Sequence, residues 1–182
     1  MFEQMRTTLE ESIDRVLAKE ASTDSVSKHV QELRQGGDGK DNFAKYFVFQ
    51  IELEGGDKPY SRTYLRGFEK RYAYHKQIAT DFLKELPQNI REYFDLPRAW
   101  PTDSSRKCEK DIIRERDGLT LNITALGGGR YNFSDNTINT WGLSTDFELP
   151  PPNEFLPELL GELVRTKEPY QGFKGFNIGP TA

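Results

Sequence analysis

The sequence has one cysteine, Cys108, among its 182 residues. A lone thiol cannot form an intramolecular disulfide, and it excludes a zinc site made of several cysteines. Long apolar runs are also absent, because no stretch approaches the roughly 18 consecutive apolar residues of a membrane-spanning helix. The N-terminal residues lack the apolar centre of a secretory signal. These absences predict a soluble, cytoplasmic protein that has no membrane as a partner.

Positive charge is in slight deficit, since 25 Lys and Arg stand against 29 Asp and Glu and give a net charge of −4. This balance disfavours nucleic-acid binding through bulk charge, although a local basic patch would still bind. Hydrophobic residues make up 35% of the chain and aromatic residues 12%. Core formation therefore depends on Phe, Tyr and Leu, in a chain of the length of one domain.

The N-terminal segment has apolar residues at helical spacing, namely Phe2, Met5, Leu9, Ile13, Val16 and Leu17. Residues 22–24, Ser-Thr-Asp, predict a break, after which a second amphipathic stretch runs to Leu33. An unbroken helix of 35 residues is the alternative. The glycine-rich residues 36–42 are typical of a flexible linker. The pattern predicts an amphipathic helical arm over residues 1–35, followed by an α+β domain over residues 43–167.

Alternating side chains predict a strand over residues 47–53, and Gly55-Gly56 then turns the chain. Residues 58–76 are rich in aromatic and basic side chains and fit two structures. As one helix, the stretch would carry aromatic and basic residues on opposite faces. As a strand up to Arg66 and a helix after Gly67, it would place Tyr60, Arg62, Tyr64 and Arg66 on one side. Strand propensity and Pro59 at the strand start favour the second structure.

The rest of the chain predicts a meander and a final helix. Asp117-Gly118 is typical of a two-residue hairpin turn. The glycines of residues 127–129 are interpreted as a loop between two strands. The predicted fold is α+β with a mostly antiparallel sheet. Its parts are a hairpin over residues 45–66, a meander over 107–149, helices over 68–86 and 153–166, and an aromatic, glycine-rich tail over 168–182.

No catalytic constellation is evident in the sequence. His29 and His75 fall on inner helical faces, where a hydrogen-bonded core histidine is the usual interpretation, and Cys108 has no histidine near it in sequence. Asp38 and Asp41 lack the alternating ligands of a calcium loop. We therefore predict no catalytic residue, no metal and no cofactor.

Three sets of residues are candidates for binding. The interleaved rings and cations suit single-stranded nucleic acid; they are Tyr60, Arg62, Tyr64, Arg66, Lys70 and Arg71. Consecutive glycine amides beside an arginine suit an anion; they are Gly127, Gly128, Gly129 and Arg130. The apolar residues of the arm and the tail suit a protein partner; they are Phe2, Met5, Leu9, Tyr170, Phe173 and Phe176.

These sets give three functional hypotheses. The favoured one is a non-enzymatic protein-binding or assembly module that contacts a protein partner, or a second copy of itself, through the arm and the tail. The first alternative is binding of RNA or single-stranded DNA through the face of residues 59–71. The second alternative is an enzyme that holds an anion at the loop of residues 127–130.

Overall fold

The computed structural model describes residues 2–18, 23–37, 39 and 41–179 of the chain. The fold is α+β, as the sequence predicts. Five α-helices are present in the described part, and they are α1 (Phe2–Leu17), α2 (Thr23–Gln35), α3 (His75–Glu85), α4 (Gln88–Tyr93) and α5 (Leu156–Thr166). Six strands form one sheet, and they are β1 (Ala44–Glu54), β2 (Tyr60–Arg66), β3 (Asp111–Arg116), β4 (Leu119–Ser134), β5 (Thr137–Trp141) and β6 (Gly175–Ile178).

The sheet is mostly antiparallel but mixed. Its strand order is β2-β1-β4-β5-β6. β3 pairs with the first half of β4, on the edge of β4 opposite to β1. Only the β5–β6 pair among these strands is parallel. Since β1 lies between β2 and β4, the predicted hairpin and the predicted meander belong to one continuous sheet.

Two hydrophobic cores lie on opposite faces of this sheet. The first core contains Phe47, Phe49, Ile51 and Leu53 of β1 together with residues of α1, α3 and α4. The second core contains residues of α2, α5 and the opposite side of β1 and β4. Strand residues alternate between faces, so β1 supplies both cores from one run of apolar side chains.

The N-terminal helices pack on both sides of the sheet. Leu9 and Ile13 of α1 are buried in the first core, whereas Val30 and Leu33 of α2 are buried in the second. Ser22 of the predicted break and Asp38 of the predicted linker lie outside the described residues. The side chains that the sequence assigns to an arm thus contribute to the cores of the same chain.

The helix predicted from residue 68 begins instead at His75. Gly67 ends β2 with a positive φ of 104°, and the chain then places Phe68 in the second core, stacked on Tyr131 with a centroid separation of 3.9 Å. Phe82 of α3 packs in the first core, on the other face of the sheet. One helix cannot place apolar side chains in the cores on both faces of the sheet. For this reason the helical spacing of apolar residues before His75 does not correspond to a helix.

The glycines of residues 127–129 do not form the predicted loop, because β4 runs through them without a break. A register shift lies here: Val48 pairs with Gly127 and Phe49 pairs with Ala125, which leaves Leu126 as an extra residue in β4. A side chain at Gly128 would place its Cβ 2.4 Å from the carbonyl oxygen of Tyr46. The glycines therefore permit β1 and β4 to approach closely. In a sequence, the same run of glycines is also typical of a flexible loop.

The predicted tail of residues 168–182 is structured as far as the structure describes it, and residues 180–182 lie outside that part. Gly175–Ile178 form β6, which pairs with β5. Alternation over four residues is too short to be detected among neighbouring glycines. The helix predicted from residue 153 begins at Leu156, after Pro152. None of the described helices has the length and apolar character needed to cross a membrane.

Candidate nucleic-acid interface

The predicted Tyr/Arg face, defined as Tyr60, Arg62, Tyr64 and Arg66, lies on β2 as expected, but α1 contacts it. The Asp14 carboxylate of α1 accepts a hydrogen bond from the Tyr60 hydroxyl at 2.7 Å and from Nε of Arg62 at 3.0 Å. The Arg62 guanidinium also lies over the Tyr60 ring, 4.4 Å from its centroid. This arginine is therefore engaged within the chain.

Arg66 is engaged more completely than Arg62. Its guanidinium donates to Glu85 at 2.8 Å, to the Leu17 carbonyl at 3.2 Å and to the Leu65 carbonyl at 3.0 Å. Burial raises the pKa of Glu85, and the Arg66 charge opposes that rise. The contacts join α1, β2 and α3, so Arg66 has a structural role in this arrangement.

The two basic residues at the end of this stretch also have partners. Lys70 lies 3.6 Å from the Asp81 carboxylate. Arg71 donates to the Phe43 carbonyl at 2.8 Å and to the Asn42 side chain at 2.6 Å. The cations predicted to bind phosphate are thus paired with acceptors of the same chain.

A second set of cations and rings lies elsewhere on the sheet. Lys45 of β1 pairs with Arg130 of β4, and Arg130 pairs with Trp141 of β5. Directly paired residues share one face of a sheet, so these three side chains form a row across three strands. We call Lys45, Arg130 and Trp141 the cationic row.

Aromatic rings surround this row. The Arg130 guanidinium lies over the ring of Phe43 at 4.5 Å, and the Lys45 ammonium lies 5.8 Å from the ring centroid of Tyr74. Trp141 and Phe43 meet edge to face at 6.3 Å. Tyr74 is 60% exposed, the largest exposure among the large hydrophobic side chains found exposed. The surface therefore has one exposed ring, Tyr74, and two partly exposed rings, Phe43 and Trp141, beside two cations.

The cations of the row lack ion pairs. Among the residues that the structure describes, no carboxylate lies within 4.0 Å of Lys45 or Arg130. Burial lowers the pKa of Lys45, and the nearby charges of Asp146 and Arg130 act in opposite directions. Asp146 itself accepts a hydrogen bond from the backbone N–H of Lys76 at 3.0 Å, at the N-terminus of α3.

The extra residue in β4 determines which face Arg130 occupies. With Leu126 accommodated as a bulge, Arg130 pairs with Lys45. If Leu126 instead paired with Val48 in regular register, Arg130 would pair with Ala44, whose side chain lies in the second core. The bulge thus turns Arg130 out of that core and onto the face of Lys45.

Gly127, Gly128 and Gly129, which were predicted to hold an anion, lie within β4 and close to other backbone atoms. Each added Cβ would meet a backbone oxygen, of Pro150, Tyr46 and Trp141 in turn, at 2.2 to 2.6 Å. His75 supports the same region by donating from Nε2 to the Gly129 carbonyl at 3.0 Å. Of the predicted anion set, the three glycines are buried and Arg130 is exposed.

The residues predicted to contact a protein partner are distributed between the cores and the surface. Leu9 lies in the first core, and Tyr170 and Phe173 lie in the second. Met5 and Phe176 pack partly buried against these cores, whereas Phe2 is 36% exposed. The arm and the tail therefore dock largely on their own chain.

The groups considered for catalysis are buried. Desolvation lowers the pKa of His29 and of His75 to about 4, so both are neutral near pH 7. Burial raises the pKa of Cys108 to about 11, which leaves the thiol protonated and a weak nucleophile. Within the described ranges, no three His, Cys, Asp or Glu side chains lie together as metal ligands.

The sequence analysis missed Phe43, Lys45, Tyr74 and Trp141. The pairing of Arg130 with Trp141 can be predicted from the sequence, because a two-residue turn at Asp135 and Asn136 fixes the register of the hairpin. The pairing of Lys45 with Arg130 depends on the bulge at Leu126, for which no local signal exists.

Comparison of the chain with protein-family models, with curated proteins and with solved structures finds no match in any of the three.

Proposed function

We propose that this protein binds single-stranded nucleic acid through the cationic row and the rings around it. The observation that carries the proposal is that Lys45 and Arg130 stand side by side on the sheet without ion pairs in the described structure, next to Trp141. Cations neutralise phosphates, and rings on a sheet stack bases. The cationic row and its rings would therefore contact the phosphates and the bases of the same nucleic-acid strand.

This surface is better suited to the function than the Tyr/Arg face. Before Arg62 or Arg66 contacted a phosphate, it would have to leave Asp14 or Glu85. Such an exchange of partners gains little, because the carboxylate left behind loses its own hydrogen bonds. Lys45 and Arg130 have no such partner to lose in the described residues.

A protein-binding module and an anion-binding enzyme receive less support. The first would use Leu9, Tyr170 and Phe173, which are buried in the cores of this chain. The second would use the amides of Gly127–Gly129, which are part of β4 and close to other backbone atoms. Nucleic-acid binding at the cationic row is therefore favoured over protein binding through the arm and the tail.

The test is fluorescence anisotropy with a labelled oligouridine of about 12 nucleotides, the upper range of site sizes for sheet-based binders. Trp141→Ala is expected to weaken binding by ~1–3 kcal/mol if it stacks one base. Arg130→Gln is expected to weaken binding and to reduce the slope of log K against log salt by about 0.7, because one phosphate contact is lost.

The matched control is Arg62→Gln on the Tyr/Arg face, which is expected to leave affinity and salt dependence unchanged. Absence of binding at low salt would refute the function. If Arg62→Gln weakened binding as much as Arg130→Gln, the protein would still bind nucleic acid, but the assignment of the binding surface to the cationic row would be wrong and the Tyr/Arg face of β2 would be the binding surface.

A further inference from the structure

A polar cleft separate from the cationic row lies between α2 and α3. Its volume is about 700 Å³, and the segment after Gly67 closes one side. This volume falls within the range of small-molecule sites. Its charged lining residues are four acidic side chains, Glu32, Glu69, Asp81 and Glu85, and four basic ones, Lys28, Lys70, Arg71 and Lys84.

Most of these charges already have partners. Lys28 pairs with Glu32 at 3.9 Å, Lys70 with Asp81 at 3.6 Å, and Glu85 with Arg66. Arg71 is held by the Phe43 carbonyl and by Asn42. Within the described residues this leaves Glu69 and Lys84 without an ion pair or a hydrogen-bond partner, whereas Arg71 has no ion pair but is held by two neutral acceptors.

The buried side chain in this cleft is His29, which is 5% exposed. The hydroxyl of Tyr131 has a single proton, which it donates to the Gly67 carbonyl at 2.7 Å. The same hydroxyl lies 2.7 Å from Nε2 of His29, so Nε2 must carry a proton and donate it. Nδ1 of the neutral ring is consequently an acceptor, and His29 makes no other hydrogen bond among the described residues.

The acceptor is maintained at neutral pH. Burial, together with the Arg71 charge, lowers the pKa of His29 to about 4, and the Glu32 charge opposes this shift. A ligand that meets Nδ1 must therefore bring an N–H or O–H donor. Balanced lining charges give no preference for a net anion or a net cation.

We propose that the cleft binds a short zwitterionic peptide of two or three residues. Its ammonium would pair with Glu69, its carboxylate would pair with Lys84, and a peptide N–H would donate to Nδ1 of His29. A single amino acid has the same two charges but fills only part of the volume.

The experiment titrates trialanine into the full chain and follows two signals. Calorimetry is expected to give saturable binding in the millimolar range or tighter. The ¹⁵N resonance of His29 Nδ1 is expected to move upfield as the nitrogen accepts a hydrogen bond. N-acetyl-trialanine amide, which lacks both terminal charges, is expected to bind several-fold more weakly. No binding of trialanine, or equal binding of both peptides, would overturn the proposal.

Variants assign the two charged contacts. Glu69→Gln and Lys84→Gln are each expected to weaken trialanine binding by about two- to fivefold, the range for an exposed ion pair. Lys110→Gln, an exposed lysine outside the cleft, is the control and should change nothing. Trp141→Ala is expected to leave trialanine binding intact, which separates this site from the proposed nucleic-acid surface. Unchanged binding in both charge variants would refute the assignment.

Discussion

The Tyr/Arg face on β2 and the cationic row across β1, β4 and β5 have the same kinds of side chain and opposite surroundings. On β2, Asp14, Glu85 and the Leu17 carbonyl engage the guanidinium groups. In the row, the Arg130 guanidinium lies over the ring of Phe43 and has no ion pair among the residues that the structure describes. An arginine-aromatic pattern in a sequence therefore indicates a binding surface only when no acidic side chain of the same chain lies opposite it.

The largest effect is expected from the glycine beneath the row. Gly128→Ala would place a Cβ 2.4 Å from the Tyr46 carbonyl oxygen and 2.6 Å from the Phe47 ring. Because β1 and β4 must separate to accept it, the free energy of unfolding should fall by about 3 kcal/mol or more. Urea unfolding measures this change.

The matched control for this prediction is Gly161→Ala in α5, where nothing lies within 4 Å of the added Cβ. A helical glycine replaced by alanine is expected to stabilise the chain by up to about 1 kcal/mol. If Gly128→Ala were equally harmless, the close approach of β1 and β4 that aligns the row would be wrong.

The second effect is a loss of stability in acid that depends on His75. Its pKa is lowered to about 4 by burial, while the unfolded chain has a value near 6.5. Between these values the unfolded state binds a proton that the folded state does not. The free energy of unfolding should therefore fall as the pH falls from about 6.5 to about 4, by roughly 3 kcal/mol at most.

His75→Gln removes the titrating group and keeps an N–H donor for the Gly129 carbonyl. Urea unfolding at pH 7, 5.5 and 4 should show a smaller acid loss in the variant than in the original chain. His29 titrates in both proteins and cancels in the difference. Parallel curves for the two proteins would contradict the buried, neutral state of His75.

The smallest change in the free energy of unfolding is expected from substitution of one arginine on each surface. Arg66→Ala should lower the free energy of unfolding by about 2 kcal/mol, because Glu85 and the Leu17 carbonyl lose their donor at a partly buried position. Arg130→Ala is its counterpart in the row and should change stability by less than about 0.5 kcal/mol. Equal losses would mean that both arginines are structural, and the distinction between the two surfaces would disappear.

The elements that the sequence predicted correctly are those indicated by a pattern within a few neighbouring residues. The alternation from Phe47 to Leu53 and the turn at Asp117-Gly118 are both present, and both central turn residues have positive φ. Gly67 ends β2, as its neighbours indicated. In each case the information lies within a few residues, which is the range over which backbone propensity acts.

The failures have a common physical cause, which is contact between distant parts of the chain. Phe68 continues the spacing of α3, but its partners Tyr46 and Tyr131 lie on the other face of the sheet. Asp14 neutralises Arg62 across 48 residues. The bulge at Leu126 lies in the pairing of β4 with β1, two strands that are distant in sequence. No local pattern carries that information.

The position of the first two helices has a consequence for folding during synthesis. His29 of α2 bonds to Tyr131 across 102 residues, and α2 also contacts the short helix Glu168–Tyr170 near the other end of the chain. A ribosome has therefore made most of the polypeptide before α2 can form these contacts. Non-local contacts of this kind slow folding, and until β4 emerges α2 lacks Tyr131 as a partner, whereas α1 can already contact β2 and α4.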